Sequence, residues 1–116
     1  AVTIVSPPPR AEFNVGRCLD KASRLGRDIT SCSFPVSSEY QNLSVLLSNL
    51  VLSNSDKLES GTVKVVDLIP TVCPEDGICL PFENNTILYR DNGHFTINGS
   101  KYLGEKYNWY DMFFKE

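Results

Sequence analysis

Two runs of β-branched residues, separated by one segment of helical length, constrain the fold of this chain more than any other feature. The first run, residues 2–6, predicts a buried strand that stops at three prolines, which have no backbone N–H to donate to a sheet. The second run, residues 63–69, ends at Pro70. Between them a helix is predicted over residues 38–53, with Ser37 or Ser38 as N-cap and apolar residues at helical spacing: Tyr40, Leu43, Leu46, Leu47, Leu50 and Val51. The order strand, helix, strand indicates a parallel sheet with a right-handed crossover, and therefore an α/β fold.

The other elements are shorter. A short helix is predicted from Cys18 to Leu25, with Gly26 as its stop, and an extended segment over residues 86–90. Residues 73–85 form a compact irregular stretch, a stapled loop or small hairpin, in which Glu75-Asp76-Gly77 predicts a turn. A last helix is expected from about residue 99 onward. The aromatic tail, residues 109–114, either packs over the core or contacts a partner or a segment outside this chain.

Four cysteines indicate an oxidising compartment. Cys18 and Cys32 bracket one short polar segment, and Cys73 and Cys79 bracket another. The even count in a small domain favours two local disulfides, Cys18–Cys32 and Cys73–Cys79, although four cysteines permit three pairings. A zinc site would need closer ligand pairs, and free thiols are the third alternative. Closing a loop of about 15 residues stabilises a fold by roughly 3 kcal/mol on the chain-entropy model.

Composition excludes several classes of protein. The 116 residues suffice for one small domain, residues 1–116, and 41% hydrophobic with 22% charged residues is typical of a globular protein. The net charge of -3, with 11 scattered Lys and Arg, argues against nucleic acid, and no run is long enough for a membrane span. A signal peptide is not expected. The start inside a strand fits a mature end left by cleavage or, better, a piece cut from a longer protein.

One loop carries residues capable of catalysis. Asp91 and His94, the only histidine, follow a strand-like run and precede the last predicted helix. Loops in this position carry the catalytic and binding residues of many α/β folds. A carboxylate three positions before an imidazole can hold one ring nitrogen and leave the other facing a nucleophile. Taken alone, such a pair is more often a surface contact. No cofactor or metal is expected.

The surroundings of this pair resemble a known family. Asp91-x-x-His94, a hydroxyl residue and then Asn98-Gly99-Ser100 are similar to the final motif block of SGNH hydrolases, D-x-x-H-[LF]-[ST]-x-x-G. The cysteine staple before the block, and the opening strand that runs into three prolines, resemble the SGNH domain fused behind membrane acyltransferases of acyltransferase family three. The resemblance implies a partial SGNH or flavodoxin-like parallel sheet flanked by helices, with the chain as the C-terminal portion of that domain.

The resemblance also implies an activity. His94 would be the general base and Asp91 the residue that orients it, in a periplasmic domain of a bacterial inner-membrane protein that O-acylates, and by expectation O-acetylates, cell-envelope polysaccharide. The Gly-Asp-Ser block and the oxyanion-hole blocks of the family have no counterpart here, so we expect them outside this chain and expect the chain alone to be inactive. The expected partners are the rest of the SGNH domain, a membrane acyltransferase domain and a polysaccharide acceptor.

A second hypothesis comes from another class. The chain would then be a complete secreted domain, stapled by disulfides, that binds a partner through its aromatic tail without catalysis. The two hypotheses differ at the first strand: if it belongs at the centre of a larger sheet, its open edge should cause self-association.

Overall fold

The computed structural model describes residues 2–61, 63–74 and 77–115. Its helices are α1 (Val15–Arg24), α2 (Ser38–Ser53), α3 (Ser55–Glu59), α4 (Ile69–Val72), α5 (Ile97–Lys106) and α6 (Trp109–Phe114), with a 3-10 turn at Ile29–Cys32. Its strands are β1 (Val2–Val5), β2 (Phe34–Pro35), β3 (Val63–Val66), β4 (Ile78–Cys79), β5 (Phe82–Glu83) and β6 (Thr86–Ile87).

The predicted parallel pairing is confirmed. β1 and β3 lie side by side in parallel, with Val2 opposite Val63 and Val5 opposite Val66, and α2 falls between them in the chain. Helices α3 and α6 pack beside this pair. The fold is therefore α/β: a parallel sheet flanked by helices, with a disulfide-stapled loop.

The ends of the two parallel strands differ from the prediction. The β1 side chains were expected to be buried, yet all four are exposed, because in the described part of the chain only β3 pairs with this strand. The second strand ends at Val66 instead of residue 69. Its extension is replaced by a turn into α4, in which the Asp67 carboxylate accepts the Ile69 N–H at 3.0 Å and Pro70 occupies the first helical turn.

The helix α2 has the predicted bounds, and Ser37 caps it by accepting the Tyr40 N–H at 3.2 Å. Its apolar face is nevertheless mostly open. Tyr40 is its only buried residue among those described, and several large apolar side chains are exposed: Val45, Leu46, Leu50 and Leu52. The amphipathic pattern therefore predicted the helix correctly but not a covered face.

Two other helices have different bounds from those predicted. α1 begins at Val15, before the predicted start at Cys18, because the Asn14 side chain accepts the Arg17 N–H and caps it. The single last helix is two helices: α5 begins at Ile97, and the left-handed backbone of Asn108 (φ 52°) separates it from α6. In the aromatic tail Trp109, Met112 and Phe113 pack against the core, whereas Tyr110 and Phe114 are exposed.

The two disulfides meet at one small antiparallel pair of strands. Cys18 bonds to Cys32 and Cys73 to Cys79, which are the two local pairs favoured by the sequence. Cys32 precedes β2, which pairs with β4, and β4 contains Cys79. The staples therefore tie α1, through β2 and β4, to the end of α4. A small hairpin is formed by β5 and β6, so it runs past the predicted stretch of residues 73–85, and the extended segment predicted over residues 86–90 is a strand only at Thr86–Ile87. The Glu75-Asp76 part of the predicted turn lies outside the described residues.

We expect the isolated chain to self-associate through β1. The strand has an open edge in the described structure, and Val2 and Ile4, on one face, are 56% and 38% exposed. Light scattering coupled to size-exclusion chromatography should show an average molar mass that rises with protein concentration. The Val2→Lys/Ile4→Lys double variant should have a lower average mass than the wild type at the same concentration. A monomer of constant mass would count against this and favour the complete binding domain.

Candidate active site

The loop that carries Asp91 and His94 is closed by two antiparallel arms. Tyr89 and Phe95 form an isolated β-bridge, and the Arg90 N–H donates to the His94 carbonyl at 2.9 Å. The two predicted site residues are therefore brought to the tip of one tight turn, directly before α5.

The Asp91 carboxylate organises the tip of this loop. Its Oδ1 accepts the backbone N–H groups of Gly93 at 2.9 Å and of His94 at 2.8 Å. Its Oδ2 lies 2.8 Å from the imidazole Nδ1 of His94. One side chain thus fixes both the backbone of the turn and the orientation of the ring.

These contacts also keep the carboxylate ionised. The Gly93 N–H, together with the His94 ring and N–H, lowers the pKa of Asp91 to about 2. An ionised carboxylate can only accept hydrogen bonds, so Nδ1 must carry the proton in this contact. The Nε2 atom is then the free, basic nitrogen of the neutral ring, as a general base requires.

The ring is open to a ligand. The His94 side chain is 68% exposed, against 31% for Asp91, and it lines a cavity of about 400 Å³. Within the described residues Nε2 has no hydrogen-bond partner. Two hydroxyl groups line the same cavity, but Ser37 caps α2 and the Tyr40 hydroxyl donates to the Pro7 carbonyl, so neither is placed as a nucleophile.

Helix α1 and the segment before it contact the loop, which no sequence pattern predicted. Its first residue, Val15, donates its N–H to the Asp91 carbonyl at 3.2 Å, and Ala11 donates to Asn92 at 2.8 Å. Gly16 lies so close that an added Cβ would be 2.2 Å from the Arg90 carbonyl oxygen. A glycine within a helix carries no sequence signal of such a backbone contact.

The aromatic layer below the loop was also not recognised from the sequence. Tyr89 is fully buried, and its ring meets those of Phe34 and Phe95 edge to face, each at 5.2 Å between centroids. Its hydroxyl donates to the Pro9 carbonyl at 2.7 Å, and burial raises the pKa of the phenol well above its usual range. The loop therefore packs on a buried aromatic layer in which the Tyr89 phenol is uncharged.

The last residues of the motif fasten the loop to α5. The Thr96 hydroxyl accepts the Gly99 N–H at 2.8 Å and donates to the Ile87 carbonyl, which caps the helix. A Cβ on Gly99 would lie 2.8 Å from the backbone of Leu88. The Thr96 hydroxyl of the motif thus serves to cap α5, and the missing side chain of Gly99 lets α5 approach the backbone of Leu88.

Other kinds of site have less support. In the described part of the chain, no three His, Cys, Asp or Glu side chains cluster as metal ligands would. None of the helices described is long and apolar enough to cross a bilayer.

The α/β fold and this loop define a domain of the SGNH hydrolase and acyltransferase type, and the comparison with protein families agrees. The model of the family "SGNH domain (fused to AT3 domains)" matches residues 1–108. The chain belongs to this family of SGNH domains. No curated protein and no solved structure gave a match to the chain.

The pH dependence of the loop follows from the Asp91 contacts. A carboxyl whose pKa is lower in the folded than in the unfolded state stabilises the fold above its usual pKa, and loses that contribution as the pH falls toward 2. The side-chain ¹³C resonance of Asp91 should titrate at about 2. In His94→Asn the midpoint should stay below the usual 3.8, since the Gly93 N–H is the largest cause. A midpoint near 3.8 in the wild type would contradict the described loop.

Gly16→Ala should disturb the loop from a distance. The added methyl group would meet the Arg90 carbonyl, and relieving such a clash costs typically about 1–3 kcal/mol. Gly104→Ala is the matched control, because its Cβ would meet only a ring carbon of Trp109 at 3.7 Å and alanine favours a helix. Thermal unfolding should show a lower Tm for Gly16→Ala alone. Equal Tm values for the two variants would refute the tight contact.

Proposed function

We propose that this chain is the C-terminal portion of an SGNH acyltransferase domain. It supplies His94, the general base of Ser-His-Asp chemistry, and Asp91, the carboxylate that orients it. One observation carries the proposal: Nδ1 of His94 lies 2.8 Å from the ionised Asp91 carboxylate, while Nε2 has no hydrogen-bond partner in the described part of the chain and the ring lines an open cavity. The family match supports it, since the motif block lies inside residues 1–108.

In this mechanism the proton moves through His94. Nε2 takes the proton of a serine hydroxyl as its oxygen bonds to the acyl carbon, and Asp91 stabilises the imidazolium that forms. The ring then returns the proton to the leaving oxygen. In the second half, Nε2 takes the proton of a sugar hydroxyl, whose oxygen attacks the acyl-serine ester. The bond from the acyl carbon to the serine oxygen breaks, and Nε2 gives the proton to that oxygen. The serine and the oxyanion-hole donors belong, in this proposal, to a part of the domain outside residues 1–116.

The family and the disulfides support the setting that we propose for the reaction. The family description names fusion to AT3 domains, which supports a parent chain with a membrane acyltransferase domain. Two disulfides favour an oxidising compartment, in bacteria the periplasm. The acceptor we propose there is cell-envelope polysaccharide, and the acyl group acetyl.

The binding-domain hypothesis rests on the tail. Tyr110 and Phe114 are 71% and 70% exposed and lie together, with ring centroids 5.3 Å apart. Two exposed aromatic rings suit a protein contact. They are compatible with catalysis as well, because the tail could meet the remainder of the domain.

The test uses the longer protein that contains this chain, in an assay of polysaccharide O-acetylation. His94→Ala and Asp91→Asn should each lower the rate by at least about 10³-fold, since serine without an oriented base is a poor nucleophile. Asp20→Asn is the control, because this exposed carboxylate on α1 pairs with Arg24 on the same helix. Activity retained in both site variants would defeat the proposal and favour the binding domain.

A second arm locates the nucleophile. The isolated chain should not hydrolyse p-nitrophenyl acetate above background. Hydrolysis by the isolated chain that His94→Ala abolishes would show that the serine lies within residues 1–116, which would contradict its proposed place elsewhere.

A further inference from the structure

The cavity beside His94 is large enough for one sugar unit. Its volume is about 400 Å³, within the range of small-molecule sites. Pro7, Pro8 and Leu43 supply apolar lining, and Gly93 and His94 line the same cavity. Such a mixture suits a ring that has both apolar C–H faces and polar substituents.

The proline side of this cavity is held rigidly. Prolines have no N–H, yet their carbonyls accept: the Tyr40 hydroxyl donates to Pro7, and the buried Tyr89 hydroxyl donates to Pro9 at 2.7 Å. Directly after Arg10, the Ala11 N–H donates to the Asn92 carbonyl at 2.8 Å. Between these anchors, the backbone of Arg10 is pinned to the catalytic loop.

The side chain of Arg10 lies across that loop. A Cβ on Gly93 would be 3.0 Å from Arg10 Cγ and 3.4 Å from Nε, so glycine leaves the space through which the side chain passes. Arg10 also lines the cavity, and its guanidinium has no ion pair or hydrogen bond within residues 2–61, 63–74 and 77–115. A guanidinium that is unpaired among the described residues thus lines the same cavity as the imidazole of His94.

The carboxylate of Glu39 limits the charge of a ligand that this cavity can bind. Glu39, in the first turn of α2, lines the same cavity and likewise has no ion pair within the described residues. A carboxylate can accept hydrogen bonds from sugar hydroxyls, and it repels a dianion about twice as strongly as a monoanion. The combination favours a ligand with one negative charge and several hydroxyl groups.

We propose that Arg10 binds the carboxylate of an acidic sugar, a uronic acid unit of the acceptor, and so sets which hydroxyl is presented to His94. This rests on the proposed function, of which it names the acceptor class. Guanidinium and carboxylate form paired, charge-assisted hydrogen bonds, which makes Arg10 a specificity-determining residue.

The experiment is a titration of the ¹⁵N-labelled chain with glucuronate, glucose or glucose 6-phosphate, followed by NMR. Glucuronate should shift the amides of Gly93 and His94, and glucose should not. Arg10→Gln should weaken glucuronate binding about tenfold or more, the loss expected for a hydrogen bond to a charged group. Arg10→Lys should bind glucuronate with an affinity between those of the wild type and Arg10→Gln, because lysine keeps the positive charge but lacks the planar guanidinium.

The control is Arg24→Gln, a distant exposed guanidinium paired with Asp20, which should bind like the wild type. Unchanged affinity in Arg10→Gln, equal shifts with glucose, or tighter binding of the phosphate would each overturn the proposal. Binding needs neither nucleophile nor turnover. A failure here therefore leaves the proposed acyl transfer standing, and a loss of the latter would not remove the binding.

Discussion

The arrangement of this site depends on a single carboxylate. Asp91 accepts two consecutive backbone N–H groups and the imidazole Nδ1, so the turn, the ring orientation and the charge state come from one side chain. An exposed pair of this kind adds little to stability. Its physical effect is orientation: an ionised Asp91 requires the proton on Nδ1, and this leaves Nε2 as the basic atom.

The rest of the described fold keeps that loop in place. The backbone of α1 donates to the carbonyl of Asp91, and Gly16 permits the close contact that brings the helix there. The disulfide between Cys18 and Cys32 ties α1 to the core, and the buried Tyr89 supports the loop from below. The Tyr89 hydroxyl also donates to the carbonyl of Pro9, next to Arg10, so in our proposals the loop and the acceptor-binding residue share this support.

The sequence predicted the features that depend on local pattern. The parallel pairing of β1 with β3, the bounds of α2 and the local disulfide pairs follow from periodicity, caps and cysteine spacing. The loop block was recognised by its resemblance to a family. Burial was predicted wrongly for β1, and the helical spacing in α2 did not reveal that its apolar face is mostly open, because periodicity shows which side is apolar but not what covers it. The contacts of Gly16, Tyr89 and Arg10 join residues about 80 positions apart and leave no local pattern.

The most direct test of the account is the tautomer of His94, the only histidine in the chain. A long-range ¹H–¹⁵N spectrum, recorded where the ring is neutral, distinguishes a proton on Nδ1 from one on Nε2. The wild type should carry the proton on Nδ1, and Asp91→Asn should lose that preference. A wild-type ring protonated on Nε2 would mean that the carboxylate does not steer the imidazole, and it would contradict the assignment of His94 as the base.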